Sequence, residues 1–398
     1  MSEWNRVALE TLLQAGVSYG IVQPGTAQGD GIPIVRVKDV RNGEITASDP
    51  LRVSPEIESK HSRTRLRGGE VLLTLVGSTG QTAIASDRFA GWNVARAIGV
   101  LRPIPEVSPQ WLRYYLDSEE AQQYIRERLN TTVQATLNLK DLRALPVPLP
   151  PRQVREATTA VARALDDKIA VNGRIATRAR LLGFALFSQA TLRDDAIEVA
   201  VDSACSALTR GIAPKYSESP DDLTVLNQKC IRDGRVNLQP ARLTLRERVK
   251  APKLLCRDDV LINSTGVGTL GRVARWTSDG EGTVDSHITI VRFDESTVDP
   301  VCAGFAMLRA QPEIEAMGEG STGQTELRRT QLGGLEITLP SKVQQRQLRP
   351  KLDALEERAE HALVESGALA ALRETLLPQL MSGRLRVRDA EKIVEDHV

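Results

Sequence analysis

The stretch TTVQATLNLKDLRALPVPLP (131–150) returns as STGQTELRRTQLGGLEITLP (321–340), and each copy opens directly into a long amphipathic run beginning PRQ (151–153) or SKVQ (341–344). Working outward, three more segments repeat in the same order. PIVRVKDVRNGEI (33–45) returns as TVLNQKCIRDGRV (224–236), and GGEVLLTLVGSTGQTAIA (68–85) as RDDVLINSTGVGTLGRVA (257–274). NVARAIGVLR (93–102) is loosely matched by VDSHITIVRF (284–293). Matches in one order at one offset of about 190 residues mark an internal duplication. A chain of 398 residues therefore divides into two similar units, not one oversized core.

Within each copy the first segments read as strands, rich in Val, Ile, Leu and Thr. RNGE (41–44) and RDGR (232–235) set an Asn-Gly or Asp-Gly pair between extended runs, which predicts a tight hairpin. GSTG (77–80) and TGVGTLG (265–271) read as polar loops after a buried strand. A helical stretch follows, PQWLRYYLDSEEAQQYIRERL (109–129) in the first copy and PVCAGFAMLRAQPEIEAM (300–317) in the second. Each unit is thus expected to be mixed α+β.

Proline then stops the last strand, and a helix can begin. The first helix is predicted from about Arg152 to Gln189, with an apolar stripe of Val154, Val161, Leu165, Ile175, Ala179, Leu182 and Leu186. The second runs from about Lys342 to Met381, with Leu348, Leu352, Leu355, Ala359, Ala362, Leu369, Leu376 and Leu380. Alternating spacings of three and four are those of a coiled-coil seam. A helix of about forty residues spans about 60 Å and needs a partner for its single apolar face. The partner could be the other helix, antiparallel, or each helix could pack on its own unit. Lys168, Asn172 and Ser366 interrupt the seams.

The expected architecture is α+β: two tandem mixed α/β domains, 1–150 and 193–340, separated by two long antiparallel helices forming a coiled coil, in 151–192 and 341–398.

Composition limits the function. Net charge is +1, with seven Lys+Arg against three Asp+Glu in 151–192 and 18 against 22 in 193–340. A protein that wrapped DNA by charge alone would be more basic, so any nucleic-acid contact must come from local patches or partners. Cys205, Cys230, Cys256 and Cys302 form no CxxC pair and read as reduced thiols. No secretory pattern or long apolar run is seen, which leads to an expectation of a cytoplasmic protein.

The ending ETLLPQLMSGRLRV (374–387), together with the twofold order of globular module then long helix, resembles the specificity subunit of type I restriction–modification systems. The resemblance covers nearly the whole chain, although LLGFALFSQ (181–189) departs from the second copy's LRETLLPQL (372–380). It implies a non-catalytic subunit whose modules each read half of a bipartite, asymmetric site on double-stranded DNA. It also implies docking of DNA methyltransferase subunits, two in number, and of a restriction/motor subunit. S-adenosylmethionine, ATP and Mg would belong to those partners, with no cofactor in this chain.

Base edges are read by Arg or Lys at guanine and by Asn or Gln at adenine. The loop candidates in the first copy are Arg36, Lys38, Arg41, Ser78, Thr79, Gln81, Thr82 and Arg96. In the second they are Asn227, Gln228, Lys229, Arg232, Asn263, Ser264, Thr265 and His287. RTRLR (63–67), with Arg63, Arg65 and Arg67, and RLTLRERVKAPK (242–253) are candidate phosphate contacts. Two other readings stay open. In the first, the chain cuts or modifies DNA itself. GSTGQT (77–82) lacks a P-loop lysine, the four histidines make no metal pair, and only Glu58-Ser59-Lys60 with Asp49 distantly suggests a nuclease. In the second, the chain is a coiled-coil scaffold without DNA specificity.

Overall fold

The computed structural model describes residues 4–25, 29–41, 43–130, 134–318 and 326–395. The chain forms two units, one from Met1–Val171 with Glu365–Val398, the other from Asn172–Val364.

In the first unit an antiparallel sheet orders its strands Ser18–Tyr19, Ile98–Leu101, Val71–Thr74, Thr82–Ile84. A smaller sheet orders Leu51–Val53, Ile32–Val35, Asn93–Val94, its last pair parallel. The second unit repeats both. Its larger sheet is Cys205–Arg210, Ile288–Phe293, Val260–Asn263, Val273–Arg275. Its smaller one is Tyr216–Ser217, Arg242–Thr244, Leu223–Leu226, Gly282–Val284, again ending in a parallel pair. The chain order of the shared strands is the same, the second unit adding Tyr216–Ser217 at the edge of its smaller sheet, so the duplication seen in sequence is a duplication of topology.

The run VLLTLV is apolar at successive positions because both faces of its strand are covered. Side chains alternate across a strand. Val71 and Leu73 pack with Trp111, Leu112 and Tyr115 of the helical layer, while Leu72 packs with Val35, Val40 and Val94 on the other side. Val260 and Ile262 pack likewise with Val301, Phe305 and Ile314, and Leu261 with Leu226, Ile231 and Val284. A buried carboxylate opens the strand in each unit. Glu70 accepts from the Arg67 and Gly68 amides and pairs with Arg102 at 3.2 Å. Asp259 accepts from the Cys256 amide and pairs with Arg292 at 2.7 Å.

The helical stretches are each broken in two, where one helix was expected. Ser118 takes an extended backbone and its hydroxyl accepts from the Ala121 amide, so Pro109–Asp117 ends and Glu119–Glu127 begins there. In the second unit Pro300–Arg309 gives way to Gln311–Ala316, with Pro312 in the first turn. The hairpin between Ile231–Arg232 and Arg235–Val236 carries positive φ at both Asp233 (53°) and Gly234 (70°), as a two-residue turn of that hand requires. Its counterpart joins Val40–Arg41 to Glu44–Ile45; Asn42 lies outside the described residues, as do 131–133 and 321–325 of the repeated stretch.

The long helices span Arg152–Thr191 and Lys342–Ser382. Within the first unit their segments run antiparallel: Val161 packs with Leu376 and Leu380, Asp166 pairs with Arg373, and Lys168 with Glu365 at 3.1 Å. Within the second, Ala176 and Ala179 pack with Ala359 and Ala362, flanked by Ile175 and Leu355. Leu165 and Leu369 are buried. At the outer turns the stripe serves the globular cores as well. Leu348 and Leu352 join Phe187 in the core of the second unit, and Ala162, Leu377 and Met381 join that of the first.

Leu182 is a correction to the expected seam. It is 51% exposed, and the inward place belongs to Gly183, where an added Cβ would lie 3.2 Å from the Phe305 ring and 3.7 Å from Leu352. Leu182→Lys is therefore expected to change stability by less than about 0.5 kcal/mol, a surface value. Leu352→Ala should cost about 2–5 kcal/mol, the value for a filled core. Chemical unfolding of the two variants checks the contrast, and a large loss in Leu182→Lys would contradict the orientation of this helix face.

Candidate nucleic-acid interface

In each unit three chain segments meet at the carboxyl end of the buried strand. In the first unit Val71–Thr74 leads into a loop over 75–81, and Leu75 N donates to Ala97 O at 2.7 Å, joining that loop to the connection before Ile98. The Thr74 hydroxyl donates to Ser78 O and accepts from Gln81 N at 2.9 Å, which fixes the loop from within. The Thr79 hydroxyl donates to Ala135 O at 3.2 Å. Ser78, Gln81 and Arg96 remain exposed, as do Lys38 and Arg41 of the neighbouring turn and hairpin.

Two candidates here have structural partners instead. Thr82 is buried and its hydroxyl donates to Asp117, so it faces inward. Arg36 is half-buried and braces the Val37–Asp39 turn, donating to Asp39 at 3.1 Å and to the Asp49 carbonyl at 2.6 Å.

The basic stretch 63–67 does not join these loops. It precedes the first residue of Val71–Thr74, whereas the loops follow the last, and four residues of strand span about 13 Å. Arg65 is already paired, donating to Glu58 at 2.7 Å. That hydrogen bond above all holds the buried Glu58 carboxyl below the usual carboxylate range, and Asn93 adds a second at 3.1 Å. Glu58 thus braces its own unit, which accounts for it without nuclease chemistry. Arg63 and Arg67 are exposed. In the stretch 242–253, Arg242 lies 3.4 Å over the Tyr216 ring and Arg246 pairs with Glu281 at 2.8 Å, leaving Arg248 and Lys250 as exposed cations.

In the second unit four candidates converge. Gln228 Nε2 donates to Thr265 O at 2.6 Å and to Thr265 Oγ1 at 2.7 Å. Thr265 Oγ1 lies 2.8 Å from His287 Nδ1, and the buried Asn263 donates to Gln228 O at 3.0 Å. Lys229 and Arg232 flank the cluster as exposed cations. Asn227 caps its turn, accepting from Lys229 N at 2.9 Å and donating to Pro240 O at 2.7 Å. Ser264 is buried against Thr289.

Sequence reasoning missed Asp285 and Arg210. Asp285 accepts from the His287 amide at 2.9 Å, and burial pushes its carboxyl upward in pKa. Arg210 donates to Leu327 O and Glu326, both at 2.8 Å, beside Thr265, which bridges to Glu326. The signal that could have found them is a glycine–isoleucine pair at 20–21 and 211–212. Each pair crosses beside the segment that leads to the loop, with Ile21 bridging Ala95 and Ile212 bridging Asp285.

Among the described residues no group of three His, Cys, Asp or Glu is placed to hold a metal ion, and no helix is long and apolar enough to cross a membrane.

The chain is thus two copies of one mixed α+β unit, each gathering polar loop residues at the end of a buried strand. Residues 1–177 match the family described as type I restriction modification DNA specificity domain. It is 32% identical over 151 residues, 37% of this chain, to the type I restriction enzyme EcoBI specificity subunit of Escherichia coli. That match takes in 32% of the relative's own length. The fold is also that of the type I restriction–modification S subunit from M. genitalium, with a TM-score of 0.60 at 15% identity over 95% of this chain and 96% of that one.

Proposed function

We propose that this chain is the DNA-reading subunit of a type I restriction–modification assembly. It performs no catalysis itself, and its two modules each read one half of a bipartite, asymmetric site. The observation that carries this reading is the contrast between the units: the backbone is the same, but the loops at matching positions carry different side chains. A dimer of identical modules reads a palindrome, whereas two different modules read two different half-sites. Residues 1–150 and 193–340 are the two readers. The helices within 151–192 and 341–398 serve as coiled-coil spacer and as docking surface for two methyltransferase subunits, with a restriction/motor subunit as a further partner. The exposed Ser78, Gln81, Arg96, Lys38 and Arg41 of the first unit, and the exposed Lys229, Arg232 and His287 of the second with the half-buried, hydrogen-bonded Gln228 and Thr265, are the side chains that reach DNA.

Exchange of residues 1–150 for the corresponding module of another specificity subunit tests the reading. With the methyltransferase subunits co-expressed, mapping of methylated positions across a genome should show one half-site replaced and the other kept. A change in both halves would contradict independent modules, and methylation without sequence preference would favour a scaffold. Cleavage or methylation by the purified chain alone, given Mg²⁺ and cofactors, would favour an enzyme.

A further inference from the structure

Resting on that DNA-reading role, we infer that Gln228, Thr265 and His287 form a single base-reading element of the second unit, whose acceptor and donor select adenine in the major groove. The direction of the hydrogen bonds fixes the pattern. A backbone carbonyl only accepts, so the Gln228 group 2.6 Å from Thr265 O is the amide nitrogen, and Oε1 is left as the acceptor. The same nitrogen donates to Thr265 Oγ1 at 2.7 Å. The hydroxyl hydrogen must then go elsewhere, and His287 Nδ1, at 2.8 Å, is the acceptor that the described residues offer it. A neutral imidazole whose Nδ1 accepts carries its proton on Nε2. His287 is exposed, so that N–H is an outward donor.

The element is held before DNA arrives. The buried Asn263 donates to the Gln228 carbonyl at 3.0 Å, and the His287 amide donates to Asp285 at 2.9 Å. Adenine presents an acceptor at N7 and a donor at N6, the complement of one donor beside one acceptor. Guanine presents two acceptors and would set O6 against Gln228 Oε1; cytosine offers a donor without the acceptor, and thymine the reverse.

The first unit is the internal control. Leu75 N donates to Ala97 O as Ser264 N donates to His287 O, and Leu137 N to Leu75 O as Leu327 N to Ser264 O. These matched bonds set Val76 and Ala97 at the places of Thr265 and His287, and the matching turns set Val37 at that of Gln228. The same backbone closes there with three apolar residues, so the polar relay is not needed for folding.

The experiment is selection of a randomised duplex library by the chain assembled with its methyltransferase subunits, as wild type, Thr265→Val and Gln228→Met. Both variants place an apolar residue where the first unit carries one. Wild type is expected to require adenine at one position of one half-site. Both variants should lose that preference by about tenfold at the same position, with the other half-site unchanged. Retention of every preference by both variants, or loss of a preference for a base other than adenine, would overturn the inference. A wild-type assembly that selects no sequence would remove the DNA-reading role itself, and this element with it.

Discussion

Replacing Arg275 with methionine is expected to lower the stability of the second unit by about 3–5 kcal/mol at neutral pH, the range for removing one partner of a buried charge cluster. The Arg275 side chain is 2% accessible and lies 2.9 Å from Asp258, 2.7 Å from Glu356 and 3.8 Å from Asp353. Methionine keeps an unbranched stem and takes away the cation that three carboxylates share. Arg349, 3.8 Å from Asp258 and 3.6 Å from Asp353, is a weaker substitute because it is itself part-exposed and paired with Asp299 at 3.2 Å.

The loss should depend on pH. Burial pushes the Glu356 and Asp353 carboxyls above their ordinary values, and Arg275 acts against that shift. Without Arg275 both rise further. A carboxyl whose pKa is raised in the folded state binds more protons folded than unfolded, so stability falls as pH rises. The defect should therefore be full at pH 7 and shrink as pH falls toward the ordinary values of 4.5 for Glu and 3.8 for Asp. Thermal unfolding would show a transition lowered by roughly 10 °C at pH 7, given about 2–4 °C per kcal/mol for a unit this size. Hydrogen exchange would place the loss in Val260–Asn263 and Val273–Arg275. Wild-type protection in those strands would show that Arg349 balances the carboxylates without help.

Substitution of Gly211 or Gly20 by alanine should produce the second large effect, each confined to its own unit. An added Cβ at Gly20 would lie 1.9 Å from the Val94 carbonyl oxygen, and one at Gly211 would lie 2.2 Å from those of Val284 and Asp285. These neighbours are backbone in the parallel strand, which no change of rotamer can move. Relief requires the crossing to open, at about 3 kcal/mol, the upper range for forced overpacking. The crossing positions the segments that carry Arg96 in one unit and His287 in the other. Gly20→Ala should thus weaken recognition of one half-site and Gly211→Ala that of the other. Hydrogen exchange combined with methylation mapping reads both at once. Loss of both half-sites in either variant would contradict the independence of the units.

Much of this architecture was legible from sequence because it rests on local rules. Repetition at one offset, alternating Val, Leu and Ile, an Asp-Gly hairpin and proline before a long amphipathic run each act within a few residues. They marked strand-rich segments and hairpins, and located both long helices to within about two residues at each end. The DNA-facing candidates were less legible. Thr82 and Ser264 adjoin Gln81 and Thr265 in the same kind of polar, glycine-containing stretch, but a one-residue step along an extended chain turns a side chain from solvent to core. The loop composition is the same in either case.

By itself, then, the sequence determined the duplication, the mixed α+β character of each unit and the two long helices, because backbone propensity and apolar periodicity are written in neighbouring residues. Only the tertiary structure decided that Gly183 and not Leu182 faces inward, that Arg275 is shared by carboxylates from distant segments, and that Gln228, Thr265 and His287 meet at one hydroxyl. Those arrangements depend on which distant segments are brought within hydrogen-bond reach, and strand pairing and packing fix that after the local pattern is spent.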